Sequence, residues 1–114
     1  MKRIILTAAI LIIASLLFSH PASDLKAEFN LETATLRLEF THNVGNPQSH
    51  YIAEIVVYLN DKEIIKQTLS LQQTEKGGSL SYIIPDAKEN DTIEIKATCN
   101  KFGSKNTKLT VISL

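Results

Sequence analysis

The sequence has one cysteine, no tryptophan, four glycines and three prolines, and neither sign of charge dominates, with 12 basic against 12 acidic residues in 114. Each shortage removes a class of answer. One cysteine cannot close an internal disulfide, the usual staple of small exported domains, nor build a Cys-x-x-Cys site or a four-cysteine iron centre. Balanced charge leaves no basic face for nucleic acid and no polybasic cluster for an anionic membrane surface. No Gly-x-Ser-x-Gly elbow and no glycine-rich phosphate loop occurs; Gly77-Gly78 reads as a hairpin turn. The carboxylates are scattered singly, none in an apolar setting that would raise its pKa for acid catalysis.

What is present begins with a segment unlike the rest. Lys2 and Arg3 precede an apolar run from Ile4 to Phe18, which ends in Ser19-His20-Pro21-Ala22. A positive start, an apolar middle and a small-residue end form the pattern of a secretory signal peptide over residues 1–22. The run is shorter than the roughly 20 apolar residues of a spanning helix, and Pro21 breaks it. Two cleavage points fit, after Ser19 or after Ala22. The first leaves His20 at the chain start, where amine and imidazole together can clasp copper; the second discards that imidazole. The protein is therefore expected to be exported, periplasmic or extracellular, with no membrane association in its mature form. Residues 23–114 form one domain with a net charge near −2, because two of the twelve basic residues and none of the acidic ones precede it.

From Leu25 onward the apolar period is two. Leu25/Ala27/Phe29, Leu36/Leu38/Phe40, Ala53/Ile55/Val57/Leu59, Ile65/Leu69/Leu71, Leu80/Tyr82/Ile84, Ile93/Ile95/Ala97 and Leu109/Val111 each line one face, with polar residues between. Asn60-Asp61, Gly77-Gly78, Pro85-Asp86, Asn90-Asp91 and Gly103-Ser104 punctuate them as turns. Seven short strands in a domain of this size predict an all-β, immunoglobulin-like antiparallel sandwich, although the paired cysteines and central tryptophan of antibody domains are missing. Two connections look long, Thr41 to His50 and Thr98 to Asn106. If the strands Thr35–Thr41 and Thr92–Thr98 run the same way up, His42 and Cys99 emerge at the same end.

His42 continues the inward parity of Leu36, Leu38 and Phe40, and Cys99 that of Ile93, Ile95 and Ala97. Thiolate and imidazole both suit iron, zinc and copper, so their convergence would make a transition-metal site. The plainer readings are a hydrogen-bonded histidine cap and a buried, inert cysteine. His50 flanks the same loop, as a third ligand or as a solvent-facing rim residue in step with Glu54.

His42-Asn43-Val44-Gly45-Asn46-Pro47-Gln48-Ser49-His50-Tyr51-Ile52, followed by Cys99-Asn100-Lys101-Phe102-Gly103, resembles the iron-binding domain of superoxide reductases, the desulfoferrodoxin and neelaredoxin family. That family pairs a His-Pro segment and a His-[Tyr/His/Trp]-Ile segment with a late Cys-Asn-x-His-Gly turn on an immunoglobulin-like sandwich, and binds ferrous iron through four imidazoles and a thiolate. The resemblance implies Cys99 as axial thiolate and His50 as one imidazole, with His42 and, where retained, His20 as further metal ligands. His42 matches the His of the His-Pro segment if two residues are inserted; otherwise Asn46, before Pro47, stands in the ligand's place. Phe102 stands where the late histidine belongs and cannot coordinate. Three imidazoles and a thiolate suit zinc or copper as well as iron. The implied activity is superoxide reduction, with superoxide as substrate and an electron-donor protein as partner. The stretch from His50 to Asp91 is also similar to the small sandwich subunit of the sulfur-oxidation carrier complex, which implies instead a non-enzymatic interaction module.

Overall fold

A computed structural model describes residues 20–113 of the chain. The expected signal peptide falls, through residue 19, outside the described residues. The rest is all-β as expected: seven antiparallel strands and, among the described residues, no helix. They run β1 Asp24–Asn30, β2 Thr35–Thr41, β3 Ile52–Leu59, β4 Lys62–Thr68, β5 Gly77–Ile83, β6 Thr92–Cys99 and β7 Ser104–Thr110. β1, β2 and β5 form one sheet in the order β1-β2-β5, and the other four form a second in the order β4-β3-β6-β7. The two apolar faces meet as a sandwich.

Alternation produces that core directly. Leu36 and Leu38 of β2, Ile55 and Val57 of β3, and Ile93, Ile95 and Ala97 of β6 are fully buried in one cluster, while the residues between them on β2 and β6 are more exposed and, on β3, Val56 is buried outside that cluster. Each of these Leu, Ile and Val side chains contributes about 1.5–3 kcal/mol of burial. The β3–β4 hairpin turns on Asn60 and Asp61, both at positive φ (48° and 68°), the left-handed pair that a two-residue turn demands.

Four expectations are corrected. The fourth strand is Lys62–Thr68, so Leu69 and Leu71 lie beyond it, and Leu71 is exposed. Gly77 and Gly78 begin β5 rather than forming its turn; the turn is Thr74–Gly77, and a side chain at Gly77 would run into the Phe40 backbone. The β6–β7 connection is short, because the strands continue to Cys99 and from Ser104. The long connection that parity had obscured is Leu69 to Lys76, between β4 and β5, where polar residues carry no period to read.

One irregularity bears on the site. Between β3 and β6 the register steps from Ile52↔Cys99 to Glu54↔Thr98, so β3 holds an extra residue there. Such a bulge reverses side-chain parity. Ile52 is buried at 1% exposure, whereas Glu54, two residues on, faces outward and pairs with Lys66 at 3.7 Å.

Candidate metal centre

Antiparallel pairing explains why the four candidate ligands share one end of the sandwich. β2 and β6 finish there, delivering His42 and Cys99; their antiparallel neighbours β1 and β3 start there, and so His20 and His50 precede them. His42, wholly buried, follows the inward parity of β2, and Cys99, 5% exposed, follows that of β6. The bulge decides His50. It shares parity with buried Ile52 rather than with Glu54, so the solvent-rim reading is overturned and the ring turns towards the other two.

The result is a compact donor set. One ligand atom from each of His42, His50 and Cys99 lies within 4.8 Å of the others. Neighbouring donors on a tetrahedral ion stand about 3.5 Å apart, so side-chain rotations that draw the donors together by about an ångström close the set on a metal. The three imidazoles cluster, with ring centroids 4.8 Å apart for His42 and His50, 5.5 Å for His20 and His42, and 5.8 Å for His20 and His50. His20 thus flanks the triad without belonging to its tightest group.

Hydrogen bonding distinguishes this cluster from ordinary packing. His50 Nε2 is buried with no partner, an omission that ordinarily costs about 1–3 kcal/mol. Burial, followed by the neighbouring His42, His20 and Lys101, holds the His50 pKa below the usual imidazole value, so the ring favours the neutral form a metal requires. Cys99 Sγ accepts the Lys101 backbone N–H at 3.4 Å, which complements the charge of a thiolate. A buried ring nitrogen without a partner, beside a sulfur and a second imidazole, is the chemistry of a metal-binding group. His42, His50 and Cys99 form a group that can hold a metal ion.

The flanking residues hold the ligands in place. Asn46 is exposed and accepts from Gln48 N–H through Oδ1, while its carbonyl accepts the N–H groups of Ser49 and His50. It shapes the turn before His50, and the imidazole at this end comes from His42. Phe102 is half exposed on the β6–β7 turn. Pro21 packs on Gly103, whose φ of +83° leaves room that a Cβ would take, and the next residue, Ala22, is buried in the core. That contact holds His20 beside the cluster.

Gln72 was missed by sequence reasoning. It stands in the polar run Gln72-Gln73-Thr74, yet it is 3% exposed and bonds His42 twice. No periodicity marks it, because only the return of the β4–β5 connection over the site brings it there. Compared with protein-family models, curated proteins and solved structures, the chain matches none.

Proposed function

We propose that this is an exported metalloprotein of superoxide-reductase type, with Cys99 as thiolate ligand, His42 and His50 as imidazole ligands, His20 as a further imidazole, and iron as the metal. The observation that carries the reading is the convergence of His42, His50 and Cys99 within 4.8 Å around the unpartnered Nε2 of His50. The Cys99-Asn100-x-x-Gly103 turn and the His50-Tyr51-Ile52 segment support the choice of iron over zinc or copper by their resemblance to that family.

A ferrous ion held there would supply the single electron by which superoxide, taking up protons, becomes hydrogen peroxide. The chain's own residues do the rest. Cys99, His42 and His50, with His20 beside them, would hold and orient the ion, buried Ile52 and the core beneath would keep water from its inner side, and the Lys101 N–H tempers the sulfur's charge. A donor set short of the family's four imidazoles leaves coordination positions for a small oxygen ligand. An electron-donor protein would return the centre to its reduced form.

The test is element-resolved metal content of protein purified without oxygen, beside Cys99→Ala. Near-stoichiometric iron that falls in the variant, together with superoxide consumption by the loaded wild type, is the expected result. Metal-free protein after iron, zinc and copper loading would remove the reading and favour the docking-module alternative.

A further inference from the structure

His42 and Gln72 are the two buried polar side chains among the described residues, and they are bonded to each other. Gln72 is held on all sides. Its backbone N–H donates to Pro47 O at 3.0 Å, and its Nε2 donates to His42 O at 2.7 Å and to Thr74 O at 2.9 Å. Both of those partners are carbonyls that can only accept, which settles which end of the amide is nitrogen. The other end, Oε1, lies 2.7 Å from His42 Nδ1. An amide oxygen only accepts, so His42 Nδ1 must carry the proton of this bond.

We infer that Gln72 is the positioning residue of the centre, holding His42 in the Nδ1–H tautomer so that Nε2 is the one ring nitrogen left for a metal. The surroundings of Nε2 agree. In the Nδ1–H tautomer of the neutral ring that nitrogen is a lone pair, and the His20 carbonyl oxygen that stands 3.3 Å from it is another acceptor. Two acceptors face one another in a buried site, an arrangement that a cation between or beside them relieves. A ligating imidazole commonly donates its other N–H to an outer oxygen in this way, which fixes the ring and raises its basicity. The inference rests on the metal reading for its purpose; the tautomer itself does not.

The experiment uses full-length processed protein with ¹⁵N-labelled histidine, metal-free at about pH 8, above the ordinary imidazole range, and then titrated with Co(II) to follow the thiolate-to-cobalt band. Two variants are compared. Gln72→Glu keeps an oxygen acceptor for Nδ1–H, whereas Gln72→Met removes it; both lose the two N–H donations to carbonyls, so both should lower the thermal midpoint. Wild type and Gln72→Glu are expected to show the Nδ1–H signature at His42, and Gln72→Met to lose it. Co(II) affinity should drop roughly 10- to 100-fold in Gln72→Met and recover in Gln72→Glu. An Nε2–H tautomer in the wild type overturns the inference, and that spectrum decides even if a variant does not fold. Equal affinity and equal tautomer in wild type and Gln72→Met also overturn it. Wild type that takes up no Co(II) overturns the metal reading, and the ligand-positioning role with it, while the spectrum still decides the tautomer separately.

Discussion

Asn100 grips the backbone of Tyr51 from both sides: its N–H donates to Tyr51 O at 3.0 Å, and its Oδ1 accepts Tyr51 N–H at 2.9 Å. Its Nδ2 also donates to Ser49 O at 3.0 Å, so the residue after Cys99 clamps the chain on either side of His50. The distance between thiol and imidazole is thereby set by a third residue that ligates nothing.

Asn100→Ala is expected to loosen that clamp. Exposed hydrogen bonds contribute about 0.5–1.5 kcal/mol each, so urea unfolding should show a modest loss of stability. Co(II) affinity should fall by about tenfold or more, since His50 no longer has a fixed station opposite Cys99. Unchanged affinity with lowered stability would show that the cluster does not depend on the clamp.

Gly103 is a second lever on the site. A Cβ there would lie 2.9 Å from Pro21 Cδ at a φ of +83°, so Gly103→Ala combines backbone strain with displacement of Pro21. The strain alone is about 1–3 kcal/mol. Gly45, whose added Cβ meets nothing within 4 Å, is the control: Gly45→Ala should move the unfolding midpoint by no more than about 0.5 kcal/mol. Limited proteolysis should cut ahead of Ala22 faster in Gly103→Ala than in wild type.

The same contact bears on where the proposed signal peptide would be cut. Cleavage after Ala22 would remove a side chain buried at 2% exposure, the Pro21 seat on Gly103 and His20 together. Intact-mass measurement of exported, processed protein should therefore find a chain that retains Ala22, with cleavage after Ser19 giving His20 as first residue. A chain beginning at Ser23 would take His20 out of the centre.

Alkaline pH should probe the join between the sheets. Tyr82 of β5 donates to Gln67 Oε1 of β4 at 2.6 Å, and burial pushes its pKa from 10.0 up to about 12. The folded state therefore keeps the phenol neutral after the unfolded chain has begun to ionise. Its contribution is fully present below pH 10 and is lost as pH rises towards 12. Because the side chain is partly solvated, the effect is a fraction of what a wholly buried phenol would give. Tyr82→Phe should flatten this part of the stability profile, measured by urea unfolding across the range.

Much of this molecule is legible along the chain. Leu36-x-Leu38-x-Phe40 and Ile93-x-Ile95-x-Ala97 alternate strictly, and a period of two has one structural meaning when turn residues bound it. The same parity placed His42 and Cys99 inward, because each merely extends a strand's alternation by one step. The sequence extends the fourth strand too far because Leu69 and Leu71 keep the parity of Ile65 beyond Thr68, the last residue of β4 to pair with β3. His50 is ambiguous for a different reason. A bulge adds one residue and inverts every parity argument drawn across it, and nothing in Tyr51-Ile52-Ala53 announces it.

The sequence by itself determined the strands, the faces they bury and the residue types available for a metal, since those follow from local alternation and turn chemistry. Tertiary structure alone decided that four side chains spread from position 20 to position 99 meet at one end, that His50 joins them through the bulge, and that Gln72 orients His42. Those outcomes depend on how sheets pair and where a long polar connection returns, and contacts between distant residues leave no period in the chain that makes them.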